Sequence, residues 1–352
     1  MQSYNIPAIM NDAYRPVITA GGKEPAAFVD AFSRQLRELF IIDNHQYIGE
    51  DKTKVFATPE FAAYCEQKKD DFVWVHYPWN NQTVKCIQAD DYFRLKTNRN
   101  QDLITASEQI KLHNTKLAVF GMSVGSNIAF VATQAGIGRD IILADFDELD
   151  TTNLNRILAG VHQIGLNKAV IAARRIYEDN PFVKITVLPE GVSEANLQKL
   201  LADKAITHIV EEIDDIKMKI VVRRLAREHK IPVVMITDNG DAVVLHVERY
   251  DLGYDKIFDK DDAYWEAKIS APMTKELAGS IIINDIVGGI EKVDKKMIAS
   301  VQRVMKKELV SWSQLGSAAI LGGVAATVAL KRIILGESRA LTVREYINPP
   351  AI

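Results

Sequence analysis

The chain has 352 residues, 43 Lys+Arg against 46 Asp+Glu, a formal charge of -3, 47% hydrophobic residues and two cysteines. At roughly 150 residues per domain, that length predicts about two domains, each able to bury a core. The near-neutral balance argues against a disordered chain and a strongly basic nucleic-acid binder, while Cys65 and Cys86 cannot make a disulfide framework or a four-thiolate zinc site.

Met1 to Asn11 shows no basic start followed by an apolar core, so no signal peptide is expected and a reducing cytoplasm is the expected compartment. Glu24 to Phe40, after the Gly21-Gly22 breaker, predicts a helix from Phe28, Phe32, Leu36 and Phe40. Phe72 to Tyr77 and Thr83 to Ile87 predict a hairpin around Pro78-Trp79-Asn80-Asn81. From Lys116 onward, strands and helices alternate, which predicts a parallel sheet with helical crossovers. The strands are placed at Lys116 to Phe120, Asp140 to Ala144, Lys184 to Leu188, Thr207 to Glu211 and Pro232 to Thr237. Ala169, Ala172, Ala173 and Ile176, and likewise Met218, Val221, Val222 and Leu225, keep helical spacing. The expected fold is α/β, a Rossmann-like, doubly wound, mostly parallel sheet running to about Tyr250, with an N-terminal α+β extension. Asp251 to Lys306 reads as charged and irregular, Trp312 to Leu335 as an apolar helix and Ala340 to Glu345 as a short strand. The most apolar stretch, Ser317 to Leu330, is shorter than the ~20 residues of a bilayer span and predicts a buried helix rather than a membrane segment.

The strand at Lys116 runs into Gly121-Met122-Ser123-Val124-Gly125-Ser126 and then a helix of small and apolar residues. That context suits a nucleotide-binding turn, in which glycine permits the bend and amides at the helix start face phosphate oxygens. Ser123 and Ser126 stand where the dinucleotide pattern GxGxxG has its second and third glycines, and a plain strand-to-helix turn reads the same way. The second strand ends at Asp145, where a carboxylate can accept ribose hydroxyls; capping of a loop is its other reading.

The run Asp145-Phe146-Asp147-Glu148-Leu149-Asp150-Thr151-Thr152-Asn153-Leu154-Asn155-Arg156 resembles the DxDxVxxSNLNR signature of the ThiF, MoeB and HesA family, adenylating enzymes related to the ubiquitin-activating enzyme. Gly165-Leu166-Asn167-Lys168 stands where that family has Gly-x-x-Lys, and Glu211-Glu212-Ile213-Asp214-Asp215 where it has D-x-x-D-N. The resemblance covers about residues 90 to 250. With Trp74 to Trp79 included, it extends to the ThiF-like portion of longer bacterial proteins that carry a nitroreductase-like domain, of which nothing is found here. The change of pattern near residue 115 divides the chain into residues 1–113, an α+β region of unassigned role, and 114–352, which the resemblance makes an adenylation domain with a C-terminal helical segment. The resemblance also implies ATP over Gly121, Ser123, Gly125 and Ser126, with Asp145 on the ribose and Asp147 beside it. Asn153, Arg156 and Lys168 would lie along the phosphates, and Asp214 would hold Mg²⁺ in preference to Asp215. Asn98-Arg99-Asn100-Gln101 resembles the family's R-Q motif, which makes Arg99 the candidate for an arginine acting on a partner subunit and implies a homodimer.

These residue types suit the chemistry. Attack of a carboxylate on the α-phosphate of ATP joins two anions and expels pyrophosphate, so the protein must supply cations rather than a strong base. Arg156, Lys168 and Arg99 meet that need, although Arg156 and Lys168 also read as solvated surface charges and Arg94 competes with Arg99. No GxxxxGK[ST] supports a P-loop enzyme. His76, His162 and His246 lack metal-ligand spacing.

No cysteine follows Cys86, so the thioester cysteine and CxxC zinc pairs that some members carry are missing. The ending Asn348-Pro349-Pro350-Ala351-Ile352 has no Gly-Gly. The expectation is therefore an ATP- and Mg²⁺-dependent adenylyltransferase whose acceptor is a carboxylate on a peptide, small protein or small molecule. A tRNA threonylcarbamoyladenosine dehydratase is a subtype, although no basic stripe recommends a tRNA. The other readings are a dinucleotide-dependent oxidoreductase and a catalytically silent binding subunit.

Overall fold

A computed structural model describes residues 13–22 and 24–349. The readings of Met1 to Asn11 and of Pro350 to Ile352 lie outside these described residues. The chain divides into two compact units, Met1–Gln109 with Tyr177–Phe182, and Ile110–Ile176 with Val183–Ile352.

The first unit holds a four-stranded sheet of β1 (Val17–Ala20), β2 (Val29–Asp30), β3 (Phe72–Tyr77) and β4 (Gln82–Ile87), in the order β1-β3-β4-β2. The hairpin of β3 and β4 forms as expected, with Asn81 at φ 55° and the Gln82 amide donating to Asn80 Oδ1 at 3.1 Å. The first helix is shorter and later than the spacing of Phe28 to Phe40 predicts, at Phe32–Asp43. Its start is set by Asp30, whose carboxylate accepts from the Ser33 amide (3.0 Å) and hydroxyl, while the Phe28 ring leaves the pattern to meet Trp74 edge-on. Phe32, Leu36 and Leu39 then pack with Val73, Val75, Tyr77, Cys86 and Ile87. The Tyr177–Phe182 segment joins this unit through Trp79 Nε1, which donates to Glu178 at 2.7 Å, and through Tyr92 and Lys96, both bonded to Asp179.

The second unit holds a seven-stranded sheet in the order β11-β10-β9-β8-β5-β6-β7. Strands β5 (Lys116–Phe120), β6 (Asp140–Ala144), β7 (Lys184–Leu188), β8 (His208–Glu211) and β9 (Val233–Asn239) are parallel, and β10 (Ala242–Glu248) and β11 (Thr342–Ile347) are antiparallel to their neighbours. Leu117, Ala118, Val119 and Phe120 are each at most 1% exposed, as a central strand covered by helices on both faces requires. The mostly parallel, Rossmann-like sheet expected from the sequence is therefore what the chain forms. Because the five parallel strands end on one edge, Gly121, Asp145, Glu212 and Asp238 all arrive there.

Three further readings of the second unit are corrected. The stretch Asp251 to Lys306 is mostly helical, with helices Asp262–Ile269, Lys275–Ile281 and Lys295–Met305 and a π-helical turn at Ile282–Val287. Asp261, Thr274 and Asp294 cap the three α-helices, and fully buried Trp265 anchors the first, so side-chain caps override the charged composition. The strand β10, which the sequence pattern did not predict, follows a two-residue Gly240-Asp241 turn with Gly240 at φ +71°. The last helix begins at Gly316 rather than Trp312, and its 20 residues to Leu335 reach the length of a span. Its packing makes it a core helix: a Cβ on Gly322 would stand 2.7 Å from Ile236 of β9, and one on Gly323 would stand 3.2 Å from the Asn127 backbone.

Candidate functional site

The site forms where β5, β6, β8 and β9 end. Gly121 turns out of β5 at φ +88°, and a Cβ there would lie 2.6 Å from the Glu212 carbonyl carbon and closer still to its oxygen. Only glycine lets these two backbones approach so closely. Gly125 opens helix Gly125–Gln134, and Ser126 Oγ donates to the Ser123 carbonyl at 3.1 Å.

Asp145 holds the loop to the neighbouring strand. Its Oδ2 accepts from the Met122 amide at 2.6 Å and its Oδ1 from the Asp147 amide at 2.8 Å. Burial pushes this carboxyl upward, opposed by those two amides and by the Lys168 charge. Lys168 Nζ pairs with Asp147 at 2.8 Å, and the lysine is 8% exposed. Asn167 braces the corner, donating to the carbonyls of Asp145 (2.8 Å) and Pro189 (3.2 Å). The sequence motif includes Asn167 but gives it no role; its buried side chain shows one.

Arg156 reaches over the loop. Its Nε donates to Ser123 Oγ at 2.9 Å and its Nη1 to Asn155 Oδ1 at 3.0 Å, while Asn127 Nδ2 holds its carbonyl at 3.0 Å. Partial burial lowers the pKa of its guanidinium, offset by Asp238 and Asp214. The Asn153 side chain closes its own turn, with Oδ1 accepting from the Asp150 amide at 3.0 Å.

At the end of β8, Asp215 caps helix Ile216–Glu228, accepting from the Met218 amide at 2.7 Å, and Asp214 is exposed beside it. Below them lies a buried ionic chain. Glu211 accepts from the Ile213 amide (2.6 Å), from Lys219 (3.1 Å) and from Arg223 (2.5 Å), and Arg223 Nε continues to Glu248 at 2.6 Å. Asp238, which no motif marks, stands at the end of β9, and burial pushes its carboxyl up to about 6.

The second unit thus brings Gly121, Ser123, Gly125, Ser126, Asp145, Asp147, Asn153, Arg156, Lys168 and Asp214 onto one sheet edge and its adjoining loops. Arg99 sits exposed in the turn Asn98–Asn100 of the first unit. Among the described residues, no group of three or more His, Cys, Asp or Glu side chains converges as metal ligands.

Fold and site together define an α/β protein with a glycine turn, a strand-end carboxylate and an arginine over the turn. The ThiF family model matches residues 95–346, and the chain belongs to that family. An uncharacterized protein of Mycobacterium tuberculosis (strain CDC 1551 / Oshkosh) is 32% identical over 315 residues, which are 88% of this chain and 40% of that protein. The chain spans less than half the length of the curated relatives it matches first. Among solved structures, E. coli tRNA N6-threonylcarbamoyladenosine dehydratase TcdA in complex with ATP aligns at TM-score 0.51 and 20% identity, covering 71% of this chain and 98% of that one. E. coli MccB with ATP aligns at TM-score 0.50 and 13% identity over 96% of both chains. These two likenesses show the fold.

Proposed function

We propose that the chain is an ATP-dependent adenylyltransferase that activates a carboxylate. The observation that carries the reading is Arg156 lying over the glycine turn, Nε on Ser123, with Asp145 and Lys168 beside it, in a chain of the ThiF family. An arginine offers paired donors to phosphate oxygens and a lysine a point charge, and in this reading both serve a triphosphate bound over the turn. Two complexes with ATP among chains of the same fold are consistent with this ligand.

In the proposed reaction, a carboxylate oxygen of the acceptor attacks the α-phosphorus, the bond to the bridging oxygen breaks and pyrophosphate leaves, giving an acyl adenylate. No proton need be removed from the attacking carboxylate, which suits a site of cations rather than a poised base. Gly121 and Gly125 bring backbone amides close to the phosphates. Asp145 holds the loop in register and would accept the ribose hydroxyls, and Arg156 and Lys168 would balance the charge that develops on the phosphates. Mg²⁺, when bound, would further neutralise the departing pyrophosphate. Asp214 would hold it together with phosphate oxygens, since Mg²⁺ is commonly bound by one or two carboxylates plus substrate phosphates. The proposal includes a homodimer in which Arg99 serves the site of the partner subunit, with a peptide, small protein or small molecule as acceptor.

The test is calorimetric titration of the full chain with ATP-Mg²⁺ and with NAD, followed by pyrophosphate exchange across a panel of carboxylate acceptors. ATP should bind, and Arg156→Ala should weaken it by about tenfold or more, the loss of about 1.5–3 kcal/mol from a charged hydrogen bond, with an unchanged melting temperature. Binding of NAD in place of ATP, or normal exchange by Arg156→Ala, would overturn the proposal.

A further inference from the structure

Arg156 is held from one side by the glycine turn and from the other by a segment remote in sequence. Ser313 to Ser317, which leads into helix Gly316–Leu335, passes directly over the Asn155 backbone, and a Cβ on Gly316 would collide with the Asn155 carbonyl oxygen. Both ends of this strap are tied down. Ser313 bonds to Ser300 through its amide (3.1 Å) and hydroxyl (2.9 Å), and Ser317 Oγ donates to Asp241 at 3.2 Å. In the middle, the main-chain carbonyl of Gln314 accepts from Asn155 Nδ2 at 2.7 Å, and the Gln314 side-chain Nε2 lies 3.4 Å from Asp238 Oδ2. Asn155 in turn accepts from Arg156 through its Oδ1.

These contacts make one relay: β9 through Asp238, the strap through Gln314, the Asn155 amide, then the guanidinium. Asn155 uses its donor on the strap and its acceptor on the arginine, so the amide cannot rotate without breaking one bond. Asp238 Oδ1 is buried with no protein partner, and Asp238 also acts electrostatically on the guanidinium. A half-buried carboxylate with one enclosed oxygen and a single long hydrogen bond costs stability unless an opposite charge stands near it. Arg156 is the cation at that end of the sheet on which it acts.

We propose that Gln314 and Asp238 are positioning residues that fix the Arg156 guanidinium over the glycine turn before the nucleotide arrives. The proposal rests on the reading of the site as an ATP site, because the orientation matters for a phosphate ligand. Preorganised donors are worth more than mobile ones, since the ordering cost is met in folding.

Two readouts on the full chain test it. The first needs no nucleotide: the Nε–Hε resonance of Arg156, assigned by its loss in Arg156→Lys. It should be dispersed and slowly exchanging in the wild type and should move toward the exposed-arginine region in Gln314→Ala and Asp238→Asn, which untether the strap from β9 and so loosen the Gln314 main-chain carbonyl that holds Asn155. The second is calorimetry with ATP-Mg²⁺, where each variant should bind about fivefold to tenfold more weakly, the worth of roughly one hydrogen bond. In the Arg156→Lys background, the same two changes should have little further effect. Melting temperatures within a degree or two of wild type would separate positioning from folding. A resonance unmoved in both variants, or losses of affinity that persist in full in Arg156→Lys, would overturn the proposal. If the wild type binds no ATP while the resonance moves as expected, the positioning stands and the ATP reading fails.

Discussion

At Gly121, sequence pattern and structural need coincide. Its φ of +88° and the approach of the Glu212 carbonyl each exclude a side chain. Gly121→Ala should lower unfolding free energy by about 2 kcal/mol or more, combining a left-handed backbone with a backbone clash. Urea unfolding measures it, and a loss below about 0.5 kcal/mol would show that the turn can shift. Ser123 teaches a different lesson. In the sequence it is a glycine missing from a dinucleotide pattern, whereas in the structure its hydroxyl is the acceptor for Arg156 Nε. Asp145 was legible as a strand-end carboxylate, but its two bonds to loop amides were not, because backbone direction after a strand is not written in residue type. Asp238 and Gln314 carry no local signal. They matter because β9 and the strap end beside Arg156.

Among elements, helix Gly316–Leu335 shows what composition can and cannot say. Its apolar run gives burial, but only the fold gives the partner. The face with Gly322 and Gly323 lies against Ile236 of β9 and the Asn127 backbone, and the Asn127 side chain carries the Nδ2 bond to Arg156. Gly323→Leu should overpack this contact and cost about 1–3 kcal/mol, with a lower urea midpoint. It should also weaken nucleotide binding if Asn127 is displaced, whereas an unchanged midpoint would mean that the helix can slide outward. The parallel strands were readable because a central strand is apolar throughout. Strand β10 was not, although its Asn239-Gly240 start is a hairpin signal, and the caps at Asp261, Thr274 and Asp294 outweighed the charge of the region that follows.

On the scale of the whole molecule, the second unit carries titratable groups inside its core. His246, 4% exposed, has its pKa driven well below 6.5 by burial, aided by Arg344, Arg223 and Lys219. The folded state keeps this histidine neutral while the unfolded chain takes up a proton as the pH falls below 6.5, so its contribution to stability should decline from there. The slope should be at most ~1.4 kcal/mol per pH unit for this one group. Urea midpoints measured from about pH 7 to about pH 5 should fall further in the wild type than in His246→Gln, a difference that isolates the histidine from Asp238 and Glu212, whose raised carboxyls take up protons in the folded state and act in the opposite sense. Equal falls would assign the acid sensitivity elsewhere. Glu211 should add little in that window, because its carboxyl is held below 4.5 by Lys219, Arg223 and the Ile213 amide against the cost of burial. The sequence by itself determined the alternation of strands and helices, the glycine turn and the family, since each is written in residues near one another in the chain. The tertiary structure alone decided which carboxylates face Arg156, which glycines admit a helix to the sheet and which ions are buried. Those depend on segments far apart in sequence, such as Asn155 and Gln314, that meet only when the strand ends are brought to one edge.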